Sequence, residues 1–346
     1  MNTLRSRTGR GITGFLRPSS NTFSTAVPSR KVLTSASPYI RPFGDPNDAT
    51  LAGKKEDFLY FPDFFEEAEQ EILLKLALWK LDRVDSSRRR RRRTSKATTE
   101  GSAGSPDRSI GLQRLFEDTS AYGFEDGHFD SVITKYRESL LTAFPNPSTI
   151  NAPSYPSILK RIYDMLPRSA GSELARDLYY DKVLPSQTPN TNDTSDRPFE
   201  QPLQTSTHAL HLSPEGHILP HVDNVDASGT VIIGVSLGAE RILRLEEATQ
   251  DGSKTNITHR GWDVLLKSGS LYLQKLRFDI IAHPPRIDLH RDSIRYNYAH
   301  SILPYGPESQ WNGSSLTPGH RVSLMIRLMQ DAEQDPEKNL MQIIPQ

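Results

Sequence analysis

A chain of 346 residues with 42 acidic and 42 basic side chains carries no net charge with which to hold a polyanion or a membrane surface. It has no cysteine, which excludes disulfides, thiolate zinc sites, iron–sulfur clusters and a cysteine nucleophile; any metal must sit on His, Asp or Glu, donors that suit iron, manganese or zinc. An apolar fraction of 35% with 25 prolines reads as a folded core diluted by polar segments, and no apolar run approaches the roughly 20 residues of a membrane span.

Residues 1–44 carry Arg5, Arg7, Arg10, Arg17, Arg30, Lys31 and Arg41, with no acid before Asp45 and many Ser and Thr. That composition suits a disordered mitochondrial transit segment, with an ordinary basic tail as the competing reading. A folded domain is expected over 45–330, its first element near Phe58, followed by a charged tail over 331–346 in which only Leu340 to Ile344 could pack. Pro62-Asp63-Phe64-Phe65-Glu66 reads as a helix start, with Asp63 as cap and Glu66 as its partner three residues on. Ile72, Leu73, Leu76, Leu78 and Leu81 then give a one-sided apolar stripe, predicting a helix packed on the outside of a sheet.

Residues 86–108 break that pattern with six consecutive arginines, Arg88 to Arg93, and a Gly/Ser-rich run. Adjacent cations repel one another and resist burial, so a loop is expected. With no aromatic side chain interleaved to stack on bases, a solvated linker is favoured over a nucleic-acid contact. Tyr122-Gly123-Phe124 suggests a short strand or loop, the stretch from Phe129 to Leu141 a helix, and Ile158 to Leu166 another helix. Residues 185–206, rich in Pro, Ser, Thr, Asn and Asp, read as a second loop.

From Ala209 onward the pattern is that of strands. Segments at His208 to His211 and Gly216 to His221 flank a turn at Ser213-Pro214-Glu215-Gly216. Further strands are predicted at Gly229 to Leu237, Arg241 to Leu245, Trp262 to Lys267, Leu271 to Leu273, Tyr296 to Ile302 and Val322 to Leu328, with the Pro/Arg-rich stretch 275–292 as an inserted loop. Many short strands separated by turns argue for a sandwich or barrel, mainly β with flanking helices.

Three features carry chemistry. His221 and Asp223 are two residues apart, so a strand would turn both to one face, where they can share a metal. His300, on a later strand, is the candidate third ligand; two His and one carboxylate on one side of an ion leave three positions open. The last strand, Arg321 to Leu328, alternates strictly. Val322, Leu324, Ile326 and Leu328 form one apolar face, while Arg321, Ser323, Met325 and Arg327 form the other. Two arginines on the inner face of a barrel are costly unless anions pair with them, and guanidinium binds carboxylate in bidentate fashion, so a dicarboxylate suits this face; on the strand alone, an amphipathic strand with two solvent-facing arginines is an equal reading.

The order His-x-Asp, distal His, Arg-x-Ser-x-x-x-Arg resembles the AlkB-homologue family of iron(II)- and 2-oxoglutarate-dependent dioxygenases. The stretches Gly216 to Asp223, Ser268 to Tyr272 and Tyr296 to Leu303 are closest to its mitochondrial branch. The resemblance is specific from about Ala209 to Leu328. It implies a double-stranded β-helix (jelly-roll, cupin-like) with iron(II) on His221, Asp223 and His300. It also implies 2-oxoglutarate on Arg321, Arg327, Ser323 and Tyr272, and dioxygen as co-substrate. The substrate it implies is an alkylated base in mitochondrial RNA or a protein; the alternative is a non-catalytic mitochondrial regulator that keeps the metal and 2-oxoglutarate site. Two departures stand out. Leu210 and Leu212 occupy places where DNA-repair members carry Asn and Tyr, and no basic-aromatic hairpin is present to serve as a nucleotide lid.

Overall fold

The computed structural model describes residues 31–32, 37–44, 58–93, 111–128, 130–166, 196–202, 205–223, 231–251, 254–275, 279–281, 286–288 and 297–329. In chain order the strands and helices are β1 (Lys31–Val32), β2 (Ile40–Phe43), β3 (Phe58–Phe61), α1 (Glu67–Arg93), β4 (Glu125–Gly127), β5 (Ile133–Leu140), α2 (Tyr155–Tyr163), β6 (Thr205–His221), β7 (Val231–Gly238), β8 (Arg241–Asp251), β9 (Lys254–Leu266), β10 (Ser270–Lys275), β11 (Asp279–Ile281), β12 (Arg286–Asp288), β13 (Tyr298–Ile302), β14 (Gln310–Trp311), β15 (Ser314–Ser315) and β16 (Arg321–Leu328).

The main sheet runs β1-β3-β10-β7-β16-β6-β13-β8-β9-β2, with β5 also on β6 and β4 on β5, and every pairing is antiparallel. Strand β6 curls it. Its first half pairs with β16 from Thr205 to Leu212, while Ile218 and His221 near its end pair with β13 instead. One long strand thus serves two sheets that face each other, which makes the molecule a double-stranded β-helix. Among the described residues, no helix is long and apolar enough to cross a membrane.

Period-two alternation sorts the side chains into two cores. Outside, Val231, Ile233, Val235 and Leu237 of β7, Leu271 and Leu273 of β10, and Val322, Leu324 and Ile326 of β16 pack under α1 and α2. Helix α1 supplies Leu73, Leu74, Leu76, Leu78 and Leu81, each worth about 1.5–3 kcal/mol when fully buried. Inside, Leu210, Leu212, Leu243, Leu245, Trp262, Val264, Tyr298 and Ile302 line the space between the sheets, joined by Phe58, Tyr60, Tyr272 and Met325.

Several expectations are corrected. The helix starts at Glu67, and the side chain that closes its first turn is Glu69, which accepts from the Glu66 N–H at 3.2 Å; Asp63 pairs with Lys267 instead. Residues 86–93, expected as the start of a loop, continue α1 through Arg93 instead; arginine is a good helix former. Residues 94–110 lie outside the described residues. The expected helix up to Leu141 is strand β5, whose backbone is claimed by β6 across seven paired positions. No turn breaks β6 at Ser213 to Gly216. The segment is instead a bulge within β6: Thr134 pairs with His217 and Tyr136 with Leu212, so Ser213 to Gly216 stand against Lys135 alone, whose φ is 48°. Gly216 is required at that point, since a Cβ would lie 2.6 Å from the Lys135 carbonyl oxygen.

The domain also starts before residue 45. Ile40, 2% exposed, pairs with Val264 on the β9 edge, and Arg41 reaches the buried Asp263 at 2.9 Å. These residues belong to the fold rather than to a disposable leader. The 275–292 stretch contributes β11 and β12, a two-stranded hairpin with Ile280 opposite Ile287, and β13 forms regularly beyond it. Residues 196–202 form no helix or strand, as expected of the 185–206 loop, though β6 already begins at Thr205; residues 185–195 and the 331–346 tail lie outside the described residues.

Candidate metal and dicarboxylate site

His221 ends β6, and His300 sits directly opposite it on β13. Their rings are 4.1 Å apart between centroids. Asp223 lies just past the strand end rather than on it, with Oδ1 3.9 Å from His221 Nε2 and 3.7 Å from His300 Nε2. Two metal–ligand bonds of about 2.1 Å span roughly 4.2 Å, so both separations suit one first-row divalent ion. All three ligand atoms lie within 4.8 Å of one another. The His221 Nδ1–H donates to the Leu219 carbonyl at 2.9 Å, which fixes the tautomer and leaves the Nε2 lone pair facing the cluster. The three residues are half-buried, as an ion with open positions would need.

Tyr272 links this cluster to the arginines. Its ring stacks on Phe58 at 5.7 Å and lies flat across Gly234 of β7, where a Cβ would come within 2.1 Å of the ring. Burial pushes the Tyr272 hydroxyl above its ordinary pKa, while Arg321 and Arg327 pull it back and Asp223 pushes it further up. The hydroxyl is within electrostatic reach of both arginines and of the Asp223 carboxylate.

Arg321 is 2% exposed and donates from Nε to Ser236 Oγ at 3.1 Å. Burial lowers its pKa, with Tyr272 and Tyr305 partly opposing. Arg327 lies three strand repeats further along the same face, and its buried Nε has no hydrogen-bond partner among the described residues. Ser323 lies between them, 3% exposed and opposite Ser236. A buried guanidinium with an orphaned N–H is costly unless an anion completes it. A dicarboxylate therefore fits the inner face between the arginines and the His/Asp/His cluster.

Leu210 and Leu212 are fully buried on this inner face, giving the neighbouring wall an apolar character. Sequence reasoning missed Gly234, Ser236, Arg241 and Tyr305. Arg241 was within reach of it: Leu243 and Leu245 fix the phase of β8 and put Arg241 on the same inner side.

Fold and cluster together define a double-stranded β-helix with a His/Asp/His triad on one rim and buried arginines inside. The chain is 32% identical over 128 residues to "Alpha-ketoglutarate-dependent dioxygenase alkB homolog 7, mitochondrial" of Bos taurus, and 32% identical over 130 residues to the Mus musculus protein of the same name. Each match takes in 37% of this chain and 47% of the relative, so the chain spans about half the length of the curated relatives it matches. The resemblance to AlkB homologues implied by the motif order is thereby shown. No family model matches. Among solved structures, OsALKBH1 is 16% identical with a TM-score of 0.30 over 59% of this chain and 84% of that one. A Pseudomonas putida prolyl-4-hydroxylase is 10% identical with a TM-score of 0.34 over 82% and 96%. Superpositions this loose add nothing to the fold, which rests on the strand pairing above.

Proposed function

We propose that the protein is an iron(II)- and 2-oxoglutarate-dependent dioxygenase of the AlkB-homologue type, acting in mitochondria as its curated relatives' names suggest. The observation that carries this reading is the His221/Asp223/His300 cluster in a barrel whose inner face holds Arg321, Ser323 and Arg327, with the buried Tyr272 hydroxyl within electrostatic reach of Asp223 and of both arginines. His221, Asp223 and His300 would hold the ion on one side. Arg327 and the Tyr272 hydroxyl would dock the carboxylate nearest the metal, and Arg321 with Ser323 the distal one. Iron(II) and 2-oxoglutarate held there would supply the oxidising power, with one atom of dioxygen going into the succinate formed alongside carbon dioxide and the other into a substrate C–H bond.

The chain's own residues supply position and charge. The Leu219 carbonyl holds the His221 ring in place, and the absence of a side chain at Gly234 makes room for the Tyr272 ring and hydroxyl. The wall made by Leu210, Leu212, Leu245 and Trp262 keeps water from the far side of the dicarboxylate. A protein side chain is the substrate class we favour over RNA, because the sequence offers no basic-aromatic hairpin to serve as a nucleotide lid.

The test is an anaerobic titration of the purified protein with iron(II) and then 2-oxoglutarate, following the visible metal-to-ligand charge-transfer band. A band in the wild type that is lost in both His221→Ala and Arg321→Met is expected. A folded, metal-loaded protein that gives no band would overturn the proposal and leave a non-catalytic regulator as the better reading.

A further inference from the structure

A third arginine shares the barrel interior. Arg241 opens β8 at 1% exposure, on the side of Leu243 and Leu245, whereas Ile242 packs outward with Leu265 and Trp311. Its Nη2 donates to the Ser213 carbonyl at 2.8 Å and the Pro214 carbonyl at 3.2 Å, and its guanidinium lies 3.7 Å from the centre of the Tyr305 ring. Its Nε and Nη1 are buried with no partner among the described residues.

Tyr305 lies within the electrostatic reach of both Arg241 and Arg321. Neither arginine makes an ion pair with a carboxylate among the described residues; Glu215 is near enough to be felt by Arg241, but its carboxylate accepts from Ser213 Oγ at 2.9 Å. Two guanidinium charges thus share one dry end of the barrel. Burial and the neighbouring Arg321 bring the pKa of Arg241 down to about 10, which still leaves it charged at neutral pH. A site that holds two unpaired cations with N–H groups directed at no protein acceptor is built around an anion.

We propose that Arg241 is a second cation for the distal carboxylate of the bound dicarboxylate, sharing that carboxylate with Arg321. This rests on the reading of Arg321 as a carboxylate ligand and adds a residue on a different strand. Arg321 Nε is occupied by Ser236, so a single guanidinium presents only part of its fork. The Arg241 N–H groups supply the remaining donors and make the pocket selective for a ligand charged at both ends.

The experiment is calorimetric titration of the Mn(II)-loaded protein with 2-oxoglutarate and with 2-oxopentanoate, the same carbon chain lacking the distal carboxylate. Arg241→Met should weaken 2-oxoglutarate roughly ten- to hundredfold, the worth of a charge-assisted hydrogen bond, and leave 2-oxopentanoate nearly unchanged. Because the free arginine is an unpaired buried charge, ligand-free Arg241→Met should melt no lower than the wild type. If Arg241→Met binds 2-oxoglutarate like the wild type while Arg321→Met does not, the proposal fails and the role of Arg321 survives. If neither substitution matters, the carboxylate reading of Arg321 falls as well. Equal loss of both ligands, or a large drop in ligand-free melting temperature, would make Arg241 a strut holding β8 to the Ser213-Pro214 segment and overturn the proposal too.

Discussion

Gly234→Ala offers a sharp test of how the Tyr272 shelf is built. Gly234 lies on the inner face of β7, directly opposite Tyr272 on one side and Met325 on the other. A Cβ there would fall 2.1 Å from Tyr272 Cζ, 2.3 Å from Cε1 and 2.5 Å from the hydroxyl oxygen. Ordinary carbon–carbon contact begins near 3.5 Å, so the ring must move by more than about 1 Å. It cannot move freely, because its other face stacks on Phe58 at an interplanar angle of 9°. Overpacking of this kind costs about 1–3 kcal/mol. The assay is urea unfolding of the wild type, Gly234→Ala, Tyr272→Ala and the double variant. Since removing the ring removes the clash, Gly234→Ala should cost about 1–3 kcal/mol in the wild-type background and close to nothing beside Tyr272→Ala. The displaced hydroxyl should also weaken 2-oxoglutarate binding. A Gly234→Ala protein as stable as the wild type, or equal costs in both backgrounds, would refute the packing argument.

Two further outcomes are expected. The Arg137 Nε–H donates to His211 Nδ1 at 2.9 Å and His211 Nε2 faces His320 Nδ1 at 3.1 Å, so the buried His211 is held neutral, with a pKa far below the usual histidine value through burial and the nearby Arg137 charge. The unfolded chain then binds the proton first. Stability contributed by this residue is complete above about pH 6.5 and falls as pH drops below it, by up to about 1.4 kcal/mol per unit; His211→Gln should flatten that slope in melts from pH 8 to 5, and an unchanged slope would contradict the assignment. Removal of residues 1–44 should lower the melting temperature relative to removal of residues 1–30, because it uncovers the β9 edge, exposes the contact of Ile40 worth about 1.5–3 kcal/mol and takes Arg41 from Asp263. Equal melting temperatures would show β2 to be dispensable.

Much of the fold was legible because alternation in a strand has few alternative readings. In β16 it separated Val322, Leu324 and Ile326 from Arg321, Ser323 and Arg327 before any strand partner was known, and the structure divides them the same way. His221 and Asp223, two residues apart, and His300 on a later strand were readable from spacing and order, and the structure brings them together. Where local pattern competed with pairing, pairing prevailed. Residues 133–140 pass for a helix until β6 lies beside them, and the Ser213 to Gly216 segment, which passes for a turn, is a bulge that β6 forms against Lys135 of β5.

The amino-acid sequence by itself determined the strand phase, the absence of thiol chemistry and which residue types could hold an ion and a carboxylate, because each depends on near neighbours or on composition alone. Only the tertiary structure decided that β6 bends from one sheet to the other, that Gly234 makes room for Tyr272, and that Arg241 meets Tyr305 beside Arg321. Those contacts join segments far apart in the chain, from 38 positions for Gly234 and Tyr272 to 123 for Thr205 and Leu328, and they arise from closing the sheet on itself.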